Sequence, residues 1–148
     1  MSVLDEIRSV LASAYSRMEK AERIAELIRK SHAYRWVGVY DVDGDEIAVI
    51  AWSGPKEPSY ARFPVSEGLC GAAVRSKAAV VVDDVTKDPR YLTTFDSTRS
   101  EIVVPVLHPA TGAALGVIDV ESERRDAFSD DDRALLEGCA SALTGLWE

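Results

Sequence analysis

Apolar residues at Leu4, Ile7, Leu11, Ala14, Met18, Ala21, Ala25 and Ile28 follow alternating steps of three and four, and no Gly or Pro interrupts Val3 to Lys30. The spacing predicts one long N-terminal helix over residues 1–30 with a heptad seam. Val3, Val10, Ile24 and Leu27 widen that stripe, so the helix is expected to pack on its own sheet and on a second helix, across a homodimer formed by the terminal helices. From Tyr34 the period becomes two: Trp36, Gly38 and Tyr40 point to one face of a strand, Val37, Val39 and Asp41 to the other. Asp43-Gly44 marks a tight hairpin turn, and Glu46 to Trp52 returns as a second strand that ends at Ser53-Gly54-Pro55. Arg62 to Pro64 reads as a short strand. Ser66-Glu67-Gly68 opens a small helix from Leu69 to about Ser76, and the apolar run Ala78 to Asp83 reads as a buried strand.

The turn-rich stretch Asp84 to Arg99 is long for a connection, and loops of that length in compact domains tend to be lids or binding loops. Glu101 to Leu107 and Ala113 to Glu121 form two more strands around a hairpin at Pro109-Ala110-Thr111-Gly112. Ser129 with Asp132 resembles a capping box that starts a C-terminal helix over residues 129–147, with Leu135, Leu136, Cys139, Leu143 and Leu146 on one face. This order predicts an α+β fold over residues 1–148 as a single domain. Its mainly antiparallel sheet carries the N- and C-terminal helices on one face and a ligand pocket on the other.

Composition narrows the function classes. Apolar residues make up 47% and charged residues 28%, ordinary globular usage. A net charge of -8 repels phosphate backbones and anionic membrane surfaces, so neither nucleic acid nor membrane is an expected partner. No apolar stretch approaches the roughly 20 residues of a membrane span, and Asp5, Glu6 and Arg8 break any signal-peptide core. Cys70 and Cys139 lie far apart, outside CxxC spacing, which suggests neither a zinc site nor a disulfide framework and fits a reducing cytoplasm. Asp41, Asp43, Asp45 and Glu46 lack the ligand spacing of a calcium loop, and His32 and His108 are isolated. No metal or other cofactor is expected, and no Ser/His/Asp or phosphate-loop pattern is present.

Four segments, in order and spacing, resemble GAF domains: Gly68-Leu69-Cys70-Gly71; Asp84-Val85 with Asp88-Pro89-Arg90-Tyr91; Arg99 to Val106; and Gly116 to Ser122 followed by Phe128-Ser129. Within that superfamily Trp36 to Tyr40, Arg62 to Gly71 and Ser100 to Pro105 are similar to the free methionine-R-sulfoxide reductases. The resemblance implies a catalytic cysteine in the loop before the Ser-Glu-Ile-Val-Val-Pro run, and a second cysteine in the Gly-x-Cys-Gly turn. Only the second is present, as Cys70; the loop reads Thr94-Phe95-Asp96-Ser97, and a third cysteine of some members, falling near Tyr60, is also missing. Reduction by that route needs one thiolate to attack sulfur and a second thiol to resolve the sulfenic acid.

The resemblance also implies that Glu101, Asp119 and Glu121 stand at substrate-binding carboxylate positions, with Glu121 where Asp is usual. Asp119 and Glu121 share a strand face, opposite Ile118 and Val120. Carboxylates crowded into one cavity favour an amine-bearing ligand over an anion. Trp36 and Tyr40, with Gly38 between them, are expected to leave a gap for that ligand between two aromatic walls, and Phe95 and Tyr91 to close over it. Arg90 and Arg99 are expected to balance neighbouring acids. Cys70 begins a helix, where the dipole favours a thiolate but where a small buried residue is also often needed, and Cys139 is expected to be an inert core thiol.

The reading that follows is a non-catalytic, sensor-type domain that binds a zwitterionic metabolite through Trp36, Tyr40, Glu101, Asp119, Glu121 and Phe95 and acts on a separate signalling partner. The alternative is a methionine sulfoxide reductase in which Cys70 attacks and an external thiol resolves; a third is a structural dimer whose pocket has filled with side chains.

Overall fold

The N-terminal periodicity is divided between two helices in the computed structural model, which describes residues 1–148: α1 (Val3–Leu11) and α2 (Arg17–Ser31). The predicted single helix over residues 1–30 is therefore corrected, and polar groups at the break explain it. The Ser13 hydroxyl bonds back to the Val10 carbonyl, and Lys20 Nζ donates to the Leu11 carbonyl at 2.9 Å, satisfying the end of α1. Ser16 then caps α2 by accepting from the Glu19 amide at 3.2 Å, while its hydroxyl meets the Glu19 carboxylate. The seam residues do not continue through: Ala14 is exposed and Met18 is 64% exposed. Ile7, Ala21, Ala25 and Ile28 are spent inside the chain's own core.

Six antiparallel strands form one sheet in the order β3-β2-β1-β6-β5-β4. They are β1 (Trp36–Asp43), β2 (Glu46–Ser53), β3 (Arg62–Pro64), β4 (Val80–Val82), β5 (Ser100–Leu107) and β6 (Ala114–Ser122). Asp43 pairs with Glu46, so the first hairpin turns on Gly44-Asp45, one residue later than predicted, with Gly44 at φ +63. The run at β4 was expected to be buried. It is an edge strand with only β5 beside it, which leaves Val81 37% exposed.

On one face Val37, Val39, Ile102, Val104, Ile118 and Val120 pack against Ile24 and Ile28 of α2, Ile7 of α1, and Leu136 and Cys139 of α4 (Asp130–Ala142). This is the predicted placement of the terminal helices. Ser129 and Asp132 form the expected capping box, but α4 ends at Ala142 and the chain finishes as a 3-10 turn over Leu143–Trp147. Arg17 fastens that turn: it chelates Asp41 at 2.7 and 2.9 Å and donates to the Leu146 carbonyl, while Trp147 Nε1 donates to Asp41 at 2.8 Å. Arg62 pairs with Asp43 and Glu46, so the acidic turn is committed to ion pairs. No helix is long and apolar enough to cross a membrane.

The other face carries a second, smaller cluster that includes Trp36, Tyr40, Val103, Val117 and Phe63, covered by Leu69, Cys70 and Ala73 of α3 (Gly68–Ser76). The chain between β4 and β5 lies over the same face; its only regular piece is a 3-10 turn at Val85–Lys87.

Candidate functional site

Alternation along β6 sends Ile118 and Val120 to the helices and Val117, Asp119 and Glu121 to the opposite face. Glu101 on β5 stands directly opposite Glu121, and Asp119 lies between Val103 of β5 and Gly38 of β1. The three acids are 3%, 2% and 1% exposed for Glu101, Asp119 and Glu121. Like charges directly across a ladder repel, and no ion pair in the structure reaches any of the three. Glu121 Oε1 accepts from Thr98 Oγ1 at 2.9 Å and from the Tyr91 hydroxyl at 3.2 Å. Glu121 Oε2 and Asp119 Oδ1 are buried without a partner. Such orphaned atoms are rare because desolvation is costly.

Burial, followed by repulsion among the three, pushes Glu101 and Glu121 well above the ordinary carboxylate range. Burial also raises Asp119 above its ordinary value. The cluster therefore holds protons at pH values where exposed carboxyls have lost theirs.

Cys70 does begin α3, where the helix dipole would favour a thiolate, but its side chain is buried. Burial, followed by the field of Asp119, Glu101 and Glu121, pushes its thiol up rather than down. A helix dipole contributes about 1 kcal/mol at such a position and is outweighed by three buried acids. Cys139 lies in the cluster on the helix side of the sheet, where burial pushes it up to about 11, as an inert core thiol should be. The two cysteines are on opposite faces and cannot pair.

The predicted gap between Trp36 and Tyr40 does not exist. A Cβ built on Gly38 would lie 2.5 Å from Trp36 Cη2 and 2.8 Å from Tyr40 Cε1, because both rings fold over the glycine and fill the space themselves. What remains are two openings that share the carboxylate wall. The smaller, about 20 Å³, is lined by Tyr40, Cys70, Glu101 and Asp119 with Tyr60 and Leu92. The larger, about 340 Å³, is a groove lined by Trp36, Phe95, Thr98 and Glu121 with Arg35 and Lys56 at its sides.

Phe95 meets Trp36 edge-on at 5.4 Å, and Trp36 Nε1 donates to the Lys56 carbonyl at 3.0 Å. The six predicted site residues thus divide, Tyr40, Glu101 and Asp119 on the cavity, Trp36, Phe95 and Glu121 on the groove. Thr98, Lys56 and Arg35 were missed; a lone threonine or lysine in a loop carries no signal of its own. Arg90 balances Asp88 at 2.7 Å as expected, but Arg99 braces the loop through the carbonyls of Asp96 and Thr98.

Comparison with known proteins places this geometry. The GAF domain family profile matches residues 19–146. GAF domain-containing protein A of Dictyostelium discoideum is 27% identical over 136 residues, 91% of this chain and 84% of the relative. Among solved structures, the free methionine-R-sulfoxide reductase of Neisseria meningitidis in complex with its substrate is 32% identical. It superposes with a TM-score of 0.87 over 98% of this chain and 86% of that one. The type II free methionine-R-sulfoxide reductase of Thermoplasma acidophilum is 29% identical, with a TM-score of 0.81 over 98% and 94%.

Proposed function

Because the chain belongs to the GAF domain family, we propose that it is a binding domain of the sensor type whose groove takes a free amino acid or similar zwitterion, without turning it over. One observation carries this reading: Glu121 is held by Thr98 and Tyr91 through one oxygen, and its other oxygen is buried and unpartnered beside the aromatic groove. An ammonium group placed there gives the missing hydrogen bond and the missing positive charge. The Trp36 and Phe95 rings offer apolar contact to a side chain. Lys56 at the side of the groove is placed to meet a carboxylate, whereas Arg35 there is paired with Glu123 at 3.0 Å. The similarity to reductases named for free methionine-R-sulfoxide supports a ligand of that class.

The non-catalytic half of the proposal rests on the thiols. Reducing a sulfoxide to a thioether and water consumes two thiols and forms one disulfide. Burial, followed by its acidic neighbours, pushes the Cys70 thiol up, Cys139 is across the sheet, and the loop above the groove offers Thr94, Phe95, Asp96 and Ser97.

Calorimetric titration with free methionine sulfoxide tests the reading. Binding to the unaltered chain is expected, weakened by about 1–3 kcal/mol in Glu121→Gln, the range for a charge-assisted hydrogen bond. Affinity is also expected to rise with pH from about 5 to 8, because an incoming cation displaces protons from the acids. No turnover is expected with an excess of small-molecule dithiol. Turnover that Cys70→Ser abolishes would establish the enzyme in place of the binding domain.

A further inference from the structure

We propose that Cys70, Glu101 and Asp119 form a site for one divalent transition-metal ion, zinc by preference, at the floor of the smaller cavity. One ligand atom from each residue lies within 4.8 Å of the others, and all three side chains are buried. All three line the same cavity. A second observation points to an occupant: Asp119 Oδ1 is wholly buried there and has no hydrogen-bond partner. The residues come from α3, β5 and β6, so nothing in their sequence spacing marks them as a set.

The donor chemistry selects the ion. Two carboxylates alone would suit magnesium or calcium, which take oxygen ligands in larger number. A thiolate added to two oxygens shifts the preference to zinc and its neighbours. Three protein ligands are the number found where a tetrahedral zinc keeps its fourth position open, and here the open side is the cavity bounded by Tyr60, Leu92 and Thr94. Binding replaces the protons on the thiol and acids with a double positive charge, in a place where no Lys or Arg supplies one. The assignment does not rest on the amine reading, which depends on Glu121 and the aromatic groove.

The test uses the full chain stripped with a chelator and titrated with cobalt(II), then zinc(II). One equivalent of cobalt is expected, with a near-ultraviolet thiolate-to-cobalt charge-transfer band that zinc abolishes. The band should be absent in Cys70→Ser, and zinc affinity should fall by about tenfold or more in Asp119→Asn, since loss of an outer-shell partner alone costs that much. Far-ultraviolet circular dichroism checks that each variant folds; if Cys70→Ser does not, Asp119→Asn decides. No cobalt binding, binding without the band, or a band that persists in folded Cys70→Ser overturns the proposal. Unaltered zinc affinity in Asp119→Asn also does so. Methionine sulfoxide titrations on the same stripped protein read the amine site separately, so either assignment can fail while the other stands.

Discussion

Glu101→Gln is expected to raise the stability of the metal-free protein at pH 7.5 and to change it little at pH 4.5. Glu101 sits directly across the ladder from Glu121, fully buried, with no cation nearby and its carboxyl pushed well above the range it has in the unfolded chain. A carboxyl raised in the folded state contributes its full stability below the unfolded value, about 4.3, and loses it as pH rises towards the folded value. Each pH unit in that window costs about 1.4 kcal/mol for the proton the native state must retain. Glutamine keeps the shape and titrates not at all, so its advantage grows with pH. Urea unfolding at the two pH values measures it. A gain equal at both, or a loss at pH 7.5, would show that the acid cluster is not electrostatically strained. Stability given up at a site is the usual mark of selection for binding rather than for folding.

Gly38→Ala is expected to destabilise the fold by about 3 kcal/mol. Its methyl would stand 2.5 Å from the Trp36 indole and 2.8 Å from the Tyr40 ring, and neither ring can withdraw. The indole is fully buried, bonded to the Lys56 carbonyl and met edge-on by Phe95; Tyr40 is 2% exposed against Phe63. Moving either ring also reshapes the wall of the groove or the cavity, so ligand binding is expected to fall with stability. Gly44→Ala is the control. Gly44 has a left-handed φ of +63 but nothing within 4 Å of a new Cβ, so only the backbone cost of about 1 kcal/mol applies. Equal urea midpoints for Gly38→Ala and the unaltered protein would mean that the rings yield.

Period-two alternation placed Trp36, Tyr40, Asp119 and Glu121 on the pocket face, and the terminal helices on the other, because side-chain direction in a strand is a local property. Whether Gly38 leaves a gap or lies beneath two folded rings is a matter of rotamers packed from three elements, and alternation is silent on it. The break between α1 and α2 was legible in Ser16 and Glu19, whose capping signature was outvoted by an apolar rhythm that happened to continue across it. Val80 to Val82 was apolar enough for a central strand, yet edge position depends on which strands pair, which a run of valines does not specify. The state of Cys70 was the hardest to foresee. Its helix start was visible, but three acids brought over it by β5 and β6 reverse the expected effect.

The central claim, that Glu121 awaits an ammonium group, is tested most directly by calorimetry with two ligands of one shape: free methionine sulfoxide and its analogue lacking the amine. The amine-bearing compound is expected to bind with proton release, seen as a heat that varies with the ionisation enthalpy of the buffer, and the analogue not at all. Equal affinity for both, or binding without proton release, would contradict the account.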